Sequence, residues 1–401
     1  MSEPFDAVII GAGTVGASAA LALARSGREV ALVDRKRPAE RPANAALDPR
    51  VVAVSPGSKK LLEALGVWPH IRLERVAPYF EMRVLAGRGE VRFRAAEHGL
   101  AALGWIAELS ELDHALSLEM ATRRRISMFA PAEIEAIEIG RDAVAVKLAD
   151  GSELTGHLLI GADGAKSRVR KAAGIGVSAD HYNQHAIVSH LETAQPNPGI
   201  AWQRFSDPGP LALLPLPGSR SSLVWSVQDQ DADRLMGLDD DHFLQALVAH
   251  CKNSPFGSVN RAGQRHALAL VRRQSSALAA GRVALIGDAA RSVHPLAGQG
   301  LNLGLADVAA LIEALQGWHD GRDPTHRIDR YSRRRGSDST LVAGGIHAIN
   351  ESQGLGQPGR LALGAGFTAM RFARPARELF VRRACGLGEV KKAVELLADI
   401  E

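Results

Sequence analysis

The segment GDAARSVHPLAGQGLNLGL (residues 287–305) carries more polar chemistry than a chain connection requires. It follows a short apolar run that is typical of a buried strand, and it leads into an apolar helical pattern. Between the two lie polar side chains and glycines, namely Asp288, Arg291, His294, Pro295, Gln299 and Asn302 with Gly287, Gly298 and Gly300. Glycine lets a ligand approach the backbone closely. The segment therefore predicts a turn wrapped around a bound ligand.

A second glycine-rich turn, GAGTVG, places Gly11, Gly13 and Gly16 in the G-x-G-x-x-G spacing. The first glycine permits the tight turn, the second lets a pyrophosphate approach, and the third lets helix and strand pack closely. The strand FDAVII precedes this turn, and an Ala/Leu-rich helix follows it. Asp34 stands where a carboxylate accepts hydrogen bonds from the adenosine ribose, although Arg35 weakens discrimination against a 2′-phosphate. This βαβ unit predicts dinucleotide binding.

NAD and FAD both fit this βαβ unit, and a third glycine turn helps to decide between them. The segment GADGAKSRVR (residues 161–170) repeats the design, with Asp163 and Gly164 in a turn and a basic helix opened by Ser167 and Arg168. Taken alone, it is explained equally well as a capped helix after a strand. A nicotinamide nucleotide held by one βαβ unit needs neither later turn, whereas an extended FAD has more surface to bind. The three turns together favour FAD.

Composition excludes several other classes of protein. The chain has 401 residues, 46% hydrophobic and 23% charged, with a net charge of +4 and only 4% aromatic residues, which is typical of a globular protein without a nucleic-acid surface. Cys251 and Cys385 form no CxxC pair, so we expect no disulfide framework and no metal site. The N-terminus enters a strand almost at once, and no long uncharged apolar run occurs. We therefore expect a cytoplasmic, bacterial protein.

The order of the predicted elements indicates an α/β fold. It comprises a Rossmann-like FAD-binding domain of the glutathione-reductase type, an inserted β-rich substrate domain and C-terminal helices. Helix–turn–strand units occupy both ends of the chain, and the strand-rich stretches between them form the insertion. The predicted domains are an FAD-binding domain at 1–77, 98–181 and 265–340, a β-sheet substrate domain at 78–97 and 182–264, and a helical region at 341–401.

The three turns together resemble those of the single-component FAD-dependent aromatic hydroxylases. More narrowly, HPLAGQGLNLGLADVAAL resembles the signature of the ubiquinone-biosynthesis hydroxylases, and the stretches DPRVVAVSPGSKKLLEALGVW and QRFSDPGPLALLPLP also look like that family. In "ELSELDHAL", Ser110 departs from the larger polar residue expected there. The resemblance implies that FAD is bound by Gly11, Gly13, Thr14, Val15, Gly16, Asp34, Arg35, Arg50, Ser110, Asp163, Gly164, Gly287, Asp288, Pro295, Gly298, Gln299, Gly300, Leu301 and Asn302.

The resemblance also implies the reaction. Reduced flavin, supplied with electrons by NAD(P)H, would add O2 to form a hydroperoxide that transfers oxygen to a phenol ring of a prenylated ubiquinone precursor. Arg50 and Pro295 would lie beside the flavin, and His294 is either a catalytic imidazole or a residue that orients the turn. Two alternatives stay open: a hydroxylase of small soluble phenols, and a non-catalytic flavin-binding subunit of a biosynthetic complex.

Other residues support weaker hypotheses. His181, His185 and His190 lie in a strand pattern, where their side chains would not converge on a metal ion. The substrate pocket is predicted to include Trp202, Phe205, Leu213, Pro215 and Trp225, each of which is also a normal sheet-core residue. Contact with other ubiquinone-biosynthesis proteins is a further hypothesis, and the sequence does not specify an oligomer.

The C-terminal segment RFARPARELFVRRACGLGEVKK carries seven basic residues and two glutamates, interleaved with Phe and Leu. One interpretation is a solvated amphipathic helix. The other is an interfacial helix that docks on anionic lipid at the inner face of the bacterial membrane, which suits a prenylated substrate.

Overall fold

The computed structural model describes residues 3–38, 41–42, 44–252, 254–293, 298–318, 322–336 and 356–399. Its first sheet is formed by β1 (Phe5–Ile10), β2 (Val30–Val33), β8 (Ile126–Phe129), β9 (Ile134–Ile139), β10 (Val144–Leu148), β11 (Glu153–Gly161), β18 (Ala279–Ala280) and β19 (Val283–Leu285). The strand order is β18-β19-β11-β1-β2-β8, with β10 and β9 attached to β11. The run from β19 to β8 is parallel, so the carboxyl ends of its strands share one edge.

The second sheet is antiparallel along most of its length. It contains β5 (Glu81–Ala86), β6 (Gly89–Arg94), β12 (Val177–Thr193), β13 (Ile200–Phe205), β14 (Leu211–Leu216), β15 (Arg220–Gln228), β16 (Val259–Ala262), β17 (His266–Ser275) and β20 (Arg291–Ser292). The order is β20-β17-β12-β15-β14-β13-β5-β6, with β16 on β12. A small third sheet, β3-β7-β4, joins Val51–Val54, Gly104–Glu108 and Val76–Tyr79.

The helices cover these sheets. They are α1 (Thr14–Arg25), α2 (Pro56–Ala64), α3 (Leu109–Ala121), α4 (Arg168–Ala172), α5 (Asp229–Met236), α6 (Asp240–His250), α7 (Gly300–Ala314), α8 (residues 325–336), α9 (Gly356–Phe372), α10 (Arg374–Cys385) and α11 (Leu387–Ala398). The largest core lies around the first sheet and includes buried residues of α1, α3, α7 and α11. A second core separates the second sheet from α5 and α6. This arrangement confirms the predicted fold class.

The sheet pairing differs from two predicted domain boundaries. Strand β12 begins at Val177, and its first residues pair with β17 over Val177–His181. Residues 177–181 and 266–275, which we predicted within the FAD-binding domain, therefore lie in the second sheet. The sequence pattern at the start of β12 is ambiguous, because a register shift between His181 and His185 interrupts the alternation of side chains.

Candidate flavin site

The three glycine turns predicted from the sequence lie next to one another at the carboxyl ends of β1, β11 and β19. Ile10 pairs with Gly161, and Gly161 pairs with Leu285, so each strand delivers its turn to the same edge. A Cβ atom on Gly11 would lie 2.3 Å from the Ala162 oxygen. On the other side, a Cβ on Gly287 would lie 3.3 Å from a methyl group of Val15. The contacts join all three turns into one site.

The glycines of the first turn have different surroundings. Gly11 has a φ of +104°, which L side chains rarely adopt, and a Cβ on Gly16 would lie 1.9 Å from the Gly11 oxygen. Gly13 instead faces open space, with no atom within 4 Å of an added Cβ. Gly13 is also the N-cap of α1, and no side chain caps that helix among the described residues. The free N–H groups of its first turn suit an anion such as pyrophosphate.

Asp34 binds the first turn directly. Its Oδ2 accepts a hydrogen bond from the Ala12 N–H at 2.7 Å, and its Oδ1 accepts one from the Lys36 N–H at 2.8 Å. The side chain of Arg35 is exposed beside it. The carboxylate therefore orders the turn as well as standing at the end of β2, where a ribose would bind.

A half-buried carboxyl group that the sequence analysis did not find, Asp113, stands beside the first turn. The Thr14 hydroxyl donates to Oδ1 of Asp113 at 2.7 Å, from α1 to α3. Burial raises the pKa of Asp113, an effect that Thr14 and Arg50 oppose and that the nearby carboxylates Asp48 and Asp34 reinforce. Asp113 is 99 positions from Thr14 in the chain, so no local signal could have identified it.

Arg50 lies just before β3 and is the exposed cation of this region. Its N–H donates to Oδ1 of Asp48 at 2.9 Å, and its guanidinium group is 3.4 Å from the same carboxylate with 60% of the side chain exposed. Burial acts to raise the pKa of Asp48, but the Arg50 backbone N–H, the Ser110 hydroxyl and the Arg50 guanidinium lower it overall. Ser110 itself lies in the first turn of α3. Arg50 is thereby anchored by Asp48.

Two buried glutamates fix the loop that leads to Arg50. Oε1 of Glu108 accepts from Arg75 at 2.8 Å, Oε2 of Glu108 also contacts Arg41, and Glu111 accepts from Arg72 at 2.6 and 2.9 Å. Glu108 also accepts the Asp48 N–H at 2.6 Å. The paired groups are separated by 33 to 67 positions in the chain, so sequence spacing gave no indication of the cluster.

Side chains of the second turn cap the N-terminus of α4, the helix that follows it. Oδ2 of Asp163 accepts the N–H groups of Arg168 and Val169 at 2.6 and 3.2 Å, and the Ser167 hydroxyl accepts the Arg170 N–H at 2.9 Å. Oδ1 of Asp163 is buried without a hydrogen-bond partner among the described residues. Gly164, with a φ of +79°, faces open space. This unpaired oxygen and the space beside it leave room for a ligand hydroxyl.

The third turn is anchored by a buried carboxylate on α7. Oδ2 of Asp307 accepts the Gly287 N–H at 3.1 Å, while Oδ1 contacts the guanidinium groups of Arg291 and Arg335, the latter at 2.9 Å. Asp288, the next residue, is exposed. Desolvation of its carboxyl group raises its pKa, against the effect of Arg273 and Arg291. Asp288, one of the predicted FAD-binding residues, is thus accessible while the turn beneath it is fixed.

Asn302 connects this turn to β3 and α2. Its Oδ1 accepts the Ser55 N–H at 2.9 Å and the Ser58 hydroxyl at 2.8 Å, and its Nδ2 donates to the Ala53 and Gly298 oxygens at 2.8 and 3.3 Å. The side-chain amide has no group left for a flavin, so Asn302 acts as a positioning residue.

The remaining predicted flavin residues lie at the start of α7 and in the turn before it. Gln299 is the N-cap of α7 without a capping side chain among the described residues, Gly300 faces open space, and Leu301 packs against the main core. Gly298 has a φ of +57° and approaches Ala53. His294 and Pro295 lie outside the described residues.

The predicted substrate residues fall on two faces of the second sheet. Trp202, Leu213 and Trp225 are buried against α5 and α6 in the second core, and alternation puts Pro215 on the same side. Phe205 lies on the other face, 6.1 Å from the ring of Phe367 on α9. We therefore revise the predicted pocket, because side chains under α5 and α6 cannot reach the turns.

The face of the second sheet that is directed to the turns is identified by its contacts. Leu214 and Leu216 pack with Ala53 and Ile106 of the third sheet. On β12, His190 donates from Nε2 to the Asp48 oxygen at 2.9 Å, and burial lowers its pKa. This face meets the loop of Arg50 and is predominantly apolar. Knowing that two amphipathic helices follow β15 would have indicated which face is covered.

FAD fits the residues present at these turns. Among the described residues, no side chain caps the N-termini of α1 and α7, three glycines face open space, and one oxygen of Asp163 has no partner. The described residues contain no group of three or more His, Cys, Asp and Glu side chains arranged for a metal ion. In the same part of the chain, no helix combines the length and apolar character needed to cross a bilayer.

Comparisons with known proteins agree with this site. The family model described as "FAD binding domain" matches residues 5–342. The ubiquinone hydroxylase UbiL of Rhodospirillum rubrum is 33% identical over 387 residues, which cover 95% of this chain and 89% of that protein. The 3-demethoxyubiquinol 3-hydroxylase of Escherichia coli is 34% identical over 349 residues, covering 86% of this chain and 89% of that protein.

Solved structures show the same fold. A variant of HpxO from Klebsiella pneumoniae complexed with FAD aligns with a TM-score of 0.71 and 20% identity, over 96% of this chain and 98% of that one. The family match and the relatives confirm the predicted FAD cofactor and the predicted hydroxylase class. The chain therefore belongs to the FAD-binding domain family, among the FAD-dependent hydroxylases that include those of ubiquinone biosynthesis.

Proposed function

We propose that this protein hydroxylates the aromatic ring of a polyprenylated phenol in ubiquinone biosynthesis, with NAD(P)H as electron donor and O2 as oxidant. The observation that carries the proposal is the 33% identity to a ubiquinone hydroxylase along 95% of the chain. The relative's name supplies the substrate class, and the intact glycine turns argue against a subunit that has lost its flavin.

The apolar wall beside the turns supports a prenylated substrate. Leu214 and Leu216 on the second sheet pack with Ala53 and Ile106 on the third, and Tyr79 lies partly buried against them. These side chains offer hydrocarbon to a prenyl chain. The proposed pocket is therefore formed by the inner face of the second sheet, which is the face opposite α5 and α6 that carries Leu214 and Leu216. It does not include Trp202, Leu213, Pro215 and Trp225.

Each element of the site has a defined task in this proposal. FAD, when bound, supplies the electron transfer and oxygen activation that side chains cannot provide. The N–H groups at the start of α1 bind its pyrophosphate, and Asp288 accepts hydrogen bonds from its ribityl hydroxyls. Arg50 and the N-terminus of α7 stabilise negative charge beside the ring, and the apolar wall excludes water. A strongly acting acid–base pair is not required.

The test combines a spectrum with product analysis. The purified protein is reconstituted with FAD, and the oxidation of NAD(P)H is followed without substrate, with a short-chain prenylphenol, and with 4-hydroxybenzoate. We expect oxidation to be stimulated by the prenylphenol, with one labelled oxygen atom from ¹⁸O2 in its ring. Stimulation by 4-hydroxybenzoate alone would overturn the substrate class. A flavin that binds but supports turnover with neither phenol would identify a non-catalytic subunit.

A prenylated substrate also bears on location. Each buried methylene group favours the bilayer by about 0.8 kcal/mol, so a polyprenyl chain stays in the membrane. We propose that the protein works as a peripheral enzyme at the membrane surface and receives its substrate there or from other proteins of the same biosynthetic route.

A further inference from the structure

The C-terminal helices α9 and α10 pack on one edge of the second sheet. Phe367 of α9 and Val381 and Cys385 of α10 share an apolar cluster with Val84 and Phe93 of β5 and β6. Because both helices bury one face on the same two strands, their opposite faces are directed away from the sheet on the same side of the molecule.

These contacts hold the two helices rigidly. A Cβ on Gly89 would lie 2.1 Å from the Gly364 oxygen, so α9 crosses β6 in backbone contact. On α10, Phe380 stacks on Phe93 with ring centroids 5.1 Å apart, and Arg377 donates to Glu97 at 2.6 Å. A surface on the outer faces of α9 and α10 would therefore orient the whole substrate domain.

The outer face of α9 is apolar although it is exposed. Leu361 is 54% and Phe372 83% exposed, and they lie with Ala365 at positions i, i+4 and i+11 of the helix, which share one side. The remaining outward residues described as exposed are mostly small, namely Ala362, Gly366, Thr368 and Ala369. On α10, Leu379 is 57% exposed. Large apolar side chains grouped in this way mark an interaction surface.

The charge on these two helices is predominantly positive, although Glu378 is also exposed on α10. Residues 356–385 contain six arginines and a single glutamate. Arg377 is engaged with Glu97, whereas Arg382 and Arg383 are exposed beside Leu379 on α10. We define the α9–α10 surface as Leu361, Ala365, Phe372, Leu379, Arg382 and Arg383.

We infer that the α9–α10 surface docks on an anionic phospholipid bilayer, with Leu361, Phe372 and Leu379 in the acyl–headgroup boundary and the arginines on phosphates. Apolar residues flanked by cations are the pattern of an interfacial helix. A second copy of the chain fits less well, because a two-fold contact would bring the same basic surface against itself. The inference uses the proposed function only to explain why docking is useful; the docking itself is independent of turnover.

The experiment uses the full chain loaded with FAD and vesicles of phosphatidylcholine with or without phosphatidylglycerol. We expect co-sedimentation with the phosphatidylglycerol vesicles only. Phe372→Ser should lower the partition coefficient about tenfold, since burying a phenylalanine side chain is worth roughly that factor. Arg382→Gln with Arg383→Gln should lower it about fivefold for each arginine and reduce its salt dependence.

Matched controls distinguish binding through the α9–α10 surface from nonspecific binding to the vesicles. Val248→Ser on α6 and the pair Arg234→Gln and Arg261→Gln remove an exposed apolar group and two exposed cations elsewhere, and they should leave partitioning unchanged. The inference is overturned if wild-type protein stays in the supernatant, if surface and control variants behave alike, or if Phe372→Ser instead dissociates a dimer. Turnover of a short-chain prenylphenol, measured without vesicles, should be the same in all variants. Loss of turnover in every sample would therefore count against the proposed function and leave docking to be judged by sedimentation.

Discussion

The half-buried Asp113 carboxyl group should weaken FAD binding as the pH rises. Asp113 is hydrogen-bonded to Thr14, the first residue of α1, whose N-terminus would hold the pyrophosphate. Burial raises the pKa of Asp113 in the free protein. A bound phosphate anion favours the protonated form further, so binding takes up a proton. FAD affinity is then highest below the free-state pKa and falls as the pH increases through it.

Coulomb's law gives the size of this effect. At a separation of roughly 6 Å, one side chain beyond Thr14, and an effective dielectric constant of about 40, one pair of unit charges repels by about 1.4 kcal/mol. That energy corresponds to about tenfold in the dissociation constant. Asp113→Asn keeps the shape of the side chain and can still accept the Thr14 hydrogen bond through its Oδ1. It should therefore bind FAD about tenfold more tightly than wild type above the pKa of Asp113, and equally well below it.

Titration of the apoprotein with FAD at several pH values, followed by quenching of flavin fluorescence, measures this directly. Wild-type affinity should decline with pH, and the Asp113→Asn curve should be flat. Asp180→Asn is the control, since it neutralises an exposed carboxylate paired with Arg272 on the second sheet. Parallel pH profiles in wild type and Asp113→Asn would refute the reasoning, and weaker binding by the variant would assign Asp113 a favourable role in ordering Thr14.

Three further predictions concern the turns and the pocket. The added methyl group of Gly13→Ala points into open space, so this variant should fold like wild type but lose at least about tenfold in FAD affinity. The added Cβ of Gly16→Ala would lie 1.9 Å from a backbone oxygen, so this variant should have a lower melting temperature. Equal effects of the two variants on affinity and melting temperature would contradict the assigned roles. Asn302→Ala leaves buried partners unpaired and should cost about 2 to 4 kcal/mol of unfolding free energy in urea titrations; a neutral result would show that the four hydrogen bonds are replaced by water. Leu214→Asp should abolish stimulation of NAD(P)H oxidation by a prenylphenol without changing the flavin spectrum; unchanged stimulation would remove the inner face of the second sheet from the pocket.

The local sequence is sufficient to predict the glycine turns, because the residues that each turn needs lie close together in the chain. Gly11 needs a positive φ, Gly16 needs contact with the preceding strand, and Asp34 closes the same βαβ unit. Parallel strands that end in such turns must bring them to one edge, since their carboxyl ends coincide. The site location therefore followed from three short segments, even though they are far apart in the chain.

Residues that depend on distant partners were not predictable in the same way. Asp113 meets Thr14 across 99 positions, and Glu108 meets Arg41 across 67. Each residue, taken by itself, resembles an ordinary polar residue of a helix or loop. Only the fold places the carboxylates where burial raises the pKa of Asp113 and where Glu108 fixes the loop before Arg50. Charge pairing between elements is thus the part of the site that a single sequence conceals.

The choice of sheet face determines where the predicted substrate residues lie. Alternation correctly groups Trp202, Leu213 and Trp225 on one side, but it does not say whether that side meets the flavin or a helix. The amphipathic helices α5 and α6 follow β15 directly, and large aromatic side chains provide the area needed to bury them. The opposite face carries smaller aliphatic residues such as Leu214, which leaves more room for the substrate proposed to bind there than indole rings would. Bulky aromatics in a substrate sheet are therefore better evidence for a covering helix than for a pocket.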